Sequence, residues 1–217
     1  MPIPTYAPPK KSAYDVVIVG GAAVGSSVAY WLGEELRGKM SVLVVERDST
    51  YEFSSTALST SAIRQQYSNP INVKISQFGV EVIRSFQERM APYFPGEPAP
   101  DLGFKEYGYL YCCSPEGVDA AKARVEMQQA HGAHTVFLEP GALKAQFPWL
   151  NVDDLGGGSW GTQAEGWFDS MGLLMGFKRG ARALGAEYID NAVTGLTVEG
   201  GKVTSVRLAT GEVVSCG

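Results

Sequence analysis

Two short runs of apolar, mostly β-branched residues lie on either side of a glycine-rich turn near the start of the chain. Residues 15–19 (DVVIV) and 41–45 (SVLVV) lack polar alternation, the pattern of parallel strands buried on both faces. Between them Val24, Val28, Leu32 and Leu36 recur at helical spacing, and Gly38 is the stop signal. Strand, turn, helix and strand make a βαβ unit, which the crossover rule places in a parallel sheet. Residues 1–13, rich in Pro and Lys, read as a loose arm.

A polar stretch follows over residues 47–68, with eight Ser or Thr between Ser49 and Ser61. Asn69 and Pro70 form an N-cap and first-turn pair. They open a long amphipathic helix predicted to carry Ile71, Ile75, Phe78, Val82 and Phe86 on one face. The Pro-rich residues 91–100 and the run Gly156, Gly157, Gly158 read as passages between domains. Between these lie a predicted strand over 107–113, a helix from Ser114-Pro115 to about Ala130, and a short helical piece over 140–147. Asp169 then caps a helix with Leu173, Leu174, Phe177, Ala181 and Leu184 inward, ended by Gly185. Short strands are predicted over 186–189, 193–198, 203–208 and from Val213, the middle two joined by a hairpin turn at Gly200-Gly201.

Composition changes this picture in a few places. Glycine is 26 of 217 residues, about 12% against a background of roughly 7%, without a collagen period. A net charge of −5 argues against a nucleic-acid surface, which needs clustered Lys and Arg. Residues 16–33 are uncharged and follow Lys10 and Lys11, as a membrane span would be. Gly20, Gly21, Gly25, Ser26 and Ser27 interrupt that stretch and Asp15 abuts it, so no membrane span is expected. Three cysteines, two of them adjacent, give neither a disulfide framework nor metal-ligand spacing, and fit a reducing, cytoplasmic setting. Cys112 and Cys113 lie on a strand, point to opposite faces and read as packing residues. His131 and His134 have no third ligand nearby, so no metal site is predicted.

The candidate chemistry lies at Gly20-Gly21-Ala22-Ala23-Val24-Gly25, between the first strand and the first helix. A dinucleotide fingerprint belongs at that place. Gly20 permits the tight turn, Gly25 lets the helix pack close to the sheet, and the N–H groups of the helix start face a pyrophosphate. Glu46, at the tip of the second strand, is placed to accept from ribose hydroxyls. One position departs from the pattern: the second glycine is Ala22, whose methyl would point at the pyrophosphate. Composition does not choose between NAD and FAD.

The segments VVIVGGAAVGSSVAYWL, VLVVERD, SSTALSTSAIRQQYSNPIN, GYLY, AEGWFDSMGLL, ARALGAEYI and VTGLTVEGGKVTSVRLATGE keep a common order and spacing. From Asp15 to Gly217 the chain resembles the N-terminal half of the D-amino-acid oxidase/sarcosine oxidase superfamily of FAD-dependent amine oxidoreductases, most of all the sarcosine and dimethylglycine dehydrogenase branch and the mitochondrial "FAD-dependent oxidoreductase domain" proteins. The resemblance implies an α/β, GR2-type Rossmann-like FAD-binding domain over 14–98 and 151–217, with residues 99–150 beginning an inserted α+β substrate domain. The match stops at Cys216-Gly217, which implies a fold truncated on its C-terminal side. The missing half, or a partner chain, would then be needed for turnover.

What the resemblance implies for single residues is as follows. Gly20, Gly25, Glu46 and Arg47 would hold the ADP half of FAD. Ser55, Thr56, Thr60, Ser61 and Ala62 would run beneath the pyrophosphate and flavin, and Val193 would touch the adenine through its backbone. Arg64 would clamp the substrate carboxylate, a role suited to its planar fork. Ser59 stands where some relatives attach FAD covalently through a histidine, so non-covalent FAD is expected. The implied reaction is hydride transfer from an amine such as sarcosine or dimethylglycine to flavin N5, with oxygen or an electron-transfer flavoprotein as acceptor. A mitochondrial location is implied if the source is eukaryotic. Two further readings stay open: a flavoprotein without turnover that serves as an assembly or interaction factor, and an NAD-dependent dehydrogenase. The Ser/Thr-rich stretch after Glu46 argues against the second.

Overall fold

The structure is a computed structural model and describes residues 6–217. Its first part runs β1 (Val16–Val19), α1 (Ala23–Leu36), β2 (Val42–Glu46), β3 (Ala62–Ile63), α2 (Pro70–Arg84) and α3 (Phe86–Met90). Next come β4 (Tyr109–Cys113), α4 (Val118–Ala130), β5 (Thr135–Leu138), α5 (Pro140–Gln146), β6 (Gly157–Gly161) and β7 (Gly166–Trp167). The chain closes with α6 (Ser170–Ala183), β8 (Glu187–Asp190), β9 (Val193–Glu199), β10 (Lys202–Leu208) and β11 (Val213–Ser215).

These elements form two compact units. One takes the residues up to Ser59, Phe86–Asp101 and Ser170–Gly217; the other takes Thr60–Ser85 and Leu102–Asp169. The boundaries thus differ from the predicted 14–98, 99–150 and 151–217. Residues 60–85 and 151–169 group with the middle of the chain, because α2 packs on α4 and β6 lies between β4 and β5.

The first unit is an α/β layer structure. Its parallel sheet has the order β1-β2-β8, in register from Val16↔Val42 to Val19↔Val45 and from Leu43↔Glu187 to Glu46↔Asp190. Alternation along a strand sends neighbouring side chains to opposite faces. Leu43 and Val45 enter a core with Tyr14, Ile189, Val206, Leu208 and Val214, which joins this sheet to the antiparallel sheet β11-β10-β9. Residues 7–13 do not form the predicted loose arm. Ala7 N–H donates to the Asp190 carbonyl, Lys10 N–H to Glu187 Oε1, and Ala13 bridges to Ser215. Residues 1–5 lie outside the described residues.

Helices α1 and α6 pack closely, and glycine makes this possible. A Cβ on Gly33 would lie 2.7 Å from Leu184 Cβ, one on Gly180 2.8 Å from Tyr30 Cδ2, and one on Gly176 2.4 Å from Phe86 Cε1. Gly176 and Gly180 are one helical step apart on the same face, so they open a groove for aromatic rings. Tyr30, Phe177 and Phe86 fill it, with centroid separations of 5.3 Å (Tyr30–Phe177) and 5.1 Å (Phe177–Phe86).

The second unit is built around the antiparallel sheet β4-β6-β5. Its central strand is the glycine run expected to be a passage between domains. Gly158 lacks room for a side chain against the Tyr111 carbonyl, 3.0 Å from its Cβ position, and so fits the middle of a crowded sheet. Asn69 caps α2 as expected, its Oδ1 accepting from Ile71 N–H at 3.0 Å. The buried face of α2 agrees with the expected one at Val82, and at Phe86 in α3, but differs over its first half. Val73, Ser76, Val80, Val82 and Ile83 are inward, whereas Ile71, Ile75 and Phe78 are 56%, 61% and 51% exposed. Val24 and Val28 of α1 likewise face outward, and Ser26, Ala29 and Tyr30 are buried instead.

The packing of α6 gives a direct expectation. Gly176→Ala forces a methyl against the Phe86 ring and should destabilise by about 1–3 kcal/mol. Gly141→Ala on α5 meets nothing within 4 Å and should leave the thermal midpoint unchanged or raise it slightly. Thermal unfolding of the two variants separates a steric effect from a general loss of glycine.

Candidate functional site

In the first unit the C-terminal ends of β1, β2 and β8 place the predicted residues along one edge. Gly20 follows β1 with φ +96°, a conformation that disfavours any side chain. Gly25, the third residue of α1, lies against the turn the chain has just left: a Cβ there would sit 1.9 Å from the Gly20 carbonyl oxygen. Ala22 is the N-cap with φ −70° and ψ −166°, ordinary extended backbone that any residue adopts. The departure from the glycine pattern therefore carries no backbone strain. Ala22 offers no side-chain cap. Within the first turn, Ala23 N–H donates to Thr56 Oγ1 at 3.1 Å, while Val24 points outward.

Glu46 ties this turn to the loop after β2. Its Oε2 accepts from Gly21 N–H at 2.7 Å and its Oε1 from Asp48 N–H at 2.9 Å. A carboxylate has about four acceptor positions, so each oxygen retains capacity for a ligand hydroxyl. Behind it, Ser26 Oγ donates to the Gly21 carbonyl at 2.6 Å and Tyr188 Oη donates to Ser26 Oγ at 3.1 Å, pinning the turn from below. Lys178 lies over the rings of Tyr51 and Tyr188, at 4.7 and 5.7 Å from their centroids. Burial, and then Arg182, hold its ammonium below the usual lysine range, against Asp190 and Glu46. Arg47 and Ser55 are exposed. Val193 opens β9 two residues after Asn191, whose N–H donates to the Glu46 carbonyl at 2.9 Å. Gly20–Gly25, Glu46, Thr56 and Val193 are thus brought to one edge by the sheet of a single unit.

The second unit holds the remaining predicted residues. Thr60 is exposed, Ser61 takes φ +54° and accepts from Phe168 N–H at 3.0 Å, and Ala62 pairs with Trp167 in the β3–β7 ladder. Arg64 follows this short strand. Its guanidinium carbon lies 4.7 Å from the Tyr67 ring centroid, 5.5 Å from that of Tyr111 and 5.8 Å from that of Tyr109. Its Nε is buried without a hydrogen-bond partner.

Around Arg64 runs a buried polar network that the sequence reading missed. Glu165, 1% exposed, accepts from Gln65 N–H at 2.7 Å and from Gln66 Nε2 at 2.9 Å. Gln66 Nε2 also donates to the Tyr109 carbonyl at 2.6 Å, its Oε1 accepts from Ser159 Oγ at 2.7 Å, and Gln128 Nε2 donates to the Tyr67 carbonyl at 2.9 Å. Gly161 leaves the space: a Cβ there would lie 1.9 Å from a Glu165 oxygen. Burial pushes the Glu165 carboxyl above the usual glutamate range, against the pull of Gln66, Gln65 and Arg64. One signal was available, since Tyr109 and Tyr111 alternate on a strand and must share a face. Cys112 is exposed and Cys113 partly buried, its Sγ 3.6 Å from the Gly157 carbonyl. His131 Nδ1 lies 2.8 Å from the Met127 carbonyl, and no group of metal-ligating side chains occurs among the described residues.

Residues 15–217 match the DAO family, FAD dependent oxidoreductase. The chain belongs to this family. It is similar to FAD-dependent oxidoreductase domain-containing protein 1 of Bos taurus, 42% identical over 88% of this chain and 39% of that protein. Mitochondrial sarcosine dehydrogenase of Homo sapiens is 27% identical over 88% of this chain and 20% of that one. Among solved structures, L-proline dehydrogenase from P. horikoshii matches with a TM-score of 0.74 and 26% identity, covering 97% of this chain and 52% of that chain. The α/β fold with its Rossmann-like parallel sheet is thus that of the DAO family. The chain spans about two-fifths of the length of the FAD-dependent oxidoreductase domain relatives it matches. No helix among the described residues is long and apolar enough to cross a membrane.

The buried acid of this DAO-family chain gives a pH prediction. A carboxyl raised by folding binds its proton more readily in the folded chain. Its contribution is fully present below the ordinary glutamate value and is lost as pH rises through the raised one. As pH falls from about 8 toward 4.5, the ordinary glutamate value, the difference in thermal midpoint between wild type and Glu165→Gln should therefore move in favour of the wild type. A difference flat with pH would show that Glu165 titrates alike in the folded and unfolded chain.

Proposed function

We propose that this chain supplies the FAD-binding and carboxylate-anchoring part of an amine oxidoreductase. Its substrate would be an amino acid with a secondary or tertiary amine, such as sarcosine, dimethylglycine or proline. The observation that carries the reading is Arg64. It is a cation set among three tyrosine rings, without a carboxylate partner among the described residues and with its Nε unsatisfied. Arg84 in the same unit is different, since it forks onto Glu106 at 2.7 Å. A planar guanidinium that forms no ion pair among the described residues suits the carboxylate of an incoming ligand.

The cofactor side has its own support. Gly20 takes a left-handed conformation and a Cβ at Gly25 would strike the Gly20 carbonyl, so glycine at both places lets α1 start directly from the end of β1 with its first turn at the strand end. Family membership points to FAD rather than a nicotinamide. The turn Gly20–Gly25, whose Gly20, Gly21 and Ala23 N–H groups are bonded to Val45, Glu46 and Thr56, would hold the pyrophosphate by its other N–H groups and the helix dipole. Glu46, backed by Arg47, would hold the ribose, and Val193 would border the adenine. Ser55, Thr60, Ser61 and Ala62 would line the path toward the flavin. When bound, FAD supplies the hydride acceptor for oxidation of the carbon next to the amine nitrogen. Arg64 fixes the substrate by its carboxylate, so that the amine end is presented in one orientation.

The test is a thermal-shift titration with FAD and with NAD, since a ligand of the folded state raises the midpoint with concentration. FAD should raise it and NAD should not; the reverse would overturn the cofactor assignment. Sarcosine, dimethylglycine or proline added to the protein with FAD should shift the flavin absorbance on binding without bleaching it, because the chain spans only about two-fifths of the length of its relatives and a further half or a partner chain is expected to be needed for turnover. No shift with any of the three would overturn the amine substrate, and stoichiometric bleaching by this chain alone would overturn the need for the further part. Glu46→Gln should weaken FAD binding about tenfold, because a charge-assisted bond is worth roughly 1.5–3 kcal/mol and part of it survives. Glu139→Gln, an exposed acid beside Lys122, serves as the control that leaves FAD affinity unchanged.

A further inference from the structure

Two of the three tyrosines around Arg64, Tyr67 and Tyr109, are held at their backbone carbonyls by the polar network behind them. Gln128 bonds the Tyr67 carbonyl and Gln66 bonds the Tyr109 carbonyl, while Gln66 is itself fixed by Ser159 and Glu165. Tyr109 and Tyr111 stack on each other at 5.2 Å, presenting adjacent rings on one face of β4. The guanidinium lies within about 6 Å of all three ring centroids, inside the range of a cation–π contact. Glu165 feels the Arg64 charge but forms no ion pair with it among the described residues; its two oxygens accept from Gln65 N–H and Gln66 Nε2. An arginine held by ring faces keeps its N–H donors for a ligand, whereas an arginine held by an acid has spent them.

We propose that Tyr67, Tyr109 and Tyr111 are positioning residues that hold Arg64 for the carboxylate of the substrate. They thereby make the site select an amino acid over the corresponding amino amide. The inference rests on the reading of Arg64 given above and adds what sets its geometry. Aromatic rings supply attraction without competing acceptors, so the cation is oriented and its charge stays available. The consequence is a specific one: loss of a ring should loosen discrimination between acid and amide more than it alters binding of the cofactor.

The experiment measures the binding of sarcosine and of sarcosinamide, which differ only in carboxylate against carboxamide, by calorimetric titration of the protein with FAD present. The ratio of the two affinities is the readout. Tyr67→Leu, Tyr109→Leu and Tyr111→Leu should each lower the preference for the acid by about fivefold, while Phe at the same positions keeps it within about twofold. Tyr111 is 40% exposed, so Tyr111→Leu tests the idea without threatening the fold. FAD affinity should be the same in all of these variants. A preference unchanged in the Leu variants would overturn the positioning role. Arg64→Gln separates the two levels. Loss of the preference there with retention in the Leu variants overturns only the tyrosine proposal, whereas retention in Arg64→Gln overturns the reading of Arg64 itself.

Discussion

The hydrogen that stands for a side chain at Gly25 is the constraint on which the glycine-turn edge of the sheet depends. Because nothing separates Gly25 from the Gly20 carbonyl, α1 starts directly from the end of β1, and its first N–H groups open at the edge of the sheet. A methyl at that point would push the helix off the strand by the width of an atom. The Glu46 carboxylate would then lose the Gly21 N–H, and Thr56 the Ala23 N–H. The turn is therefore assembled from backbone contact first and polar contact second. Gly21 closes the lower side, since a Cβ there would already crowd Val44 Cγ1 at 3.1 Å.

The second unit solves a different problem. It buries a carboxylate without a salt-bridge partner, an arrangement that costs stability unless hydrogen bonds replace the lost water. Glu165 receives them from Gln65 and Gln66, which directly follow Arg64 in sequence. The same bonds that satisfy the acid thus fix the backbone next to the cation. Gln77 extends the arrangement, its Nε2 bonding Gln65 Oε1 at 3.1 Å and the His131 carbonyl at 3.0 Å. A short strand of only two residues, β3, would be a weak support for Arg64 without this backing.

Legibility from the sequence followed the physics of each element. The βαβ unit was readable, because buried parallel strands are continuous apolar runs and the turn between them needs glycine at fixed places. The cap at Asn69-Pro70 and the hairpin at Gly200-Gly201 were readable for the same local reason. Strand β6 was not, since Gly157 and Gly158 carry no propensity for a strand and are there only because β4 and β5 crowd them from both sides. Residues 7–13 were read as loose because their order comes from bonds to β8 and β11, far away along the chain. The edge residues at Gly20, Gly25 and Glu46 were visible as a motif, whereas the network of Gln65, Gln66 and Glu165 left no spacing to detect.

The two helix faces show why periodicity finds an amphipathic helix more reliably than it finds the buried side. On α2 the stripe Ile71, Ile75, Phe78 has the spacing of a core face, yet Val73, Val80 and Ile83 are the residues inside. On α1 the buried residues are Ser26, Ala29 and Tyr30, while Val24 and Val28 stay outside. Contact with α6 runs through glycines that seat a neighbouring side chain, Gly180 against Tyr30 and Gly33 against Leu184 just past α6, so the face of greatest contact is not the one with the most aliphatic side chains. Both helices are in effect apolar on two sides, one chosen by packing within the unit and the other left on the surface. An apolar stripe exposed on an otherwise polar helix is a surface of the kind that marks contact with something else. On α1 the exposed stripe follows the glycine turn directly, and on α2 Ile71 and Ile75 carry it through the first two turns after the Asn69 cap.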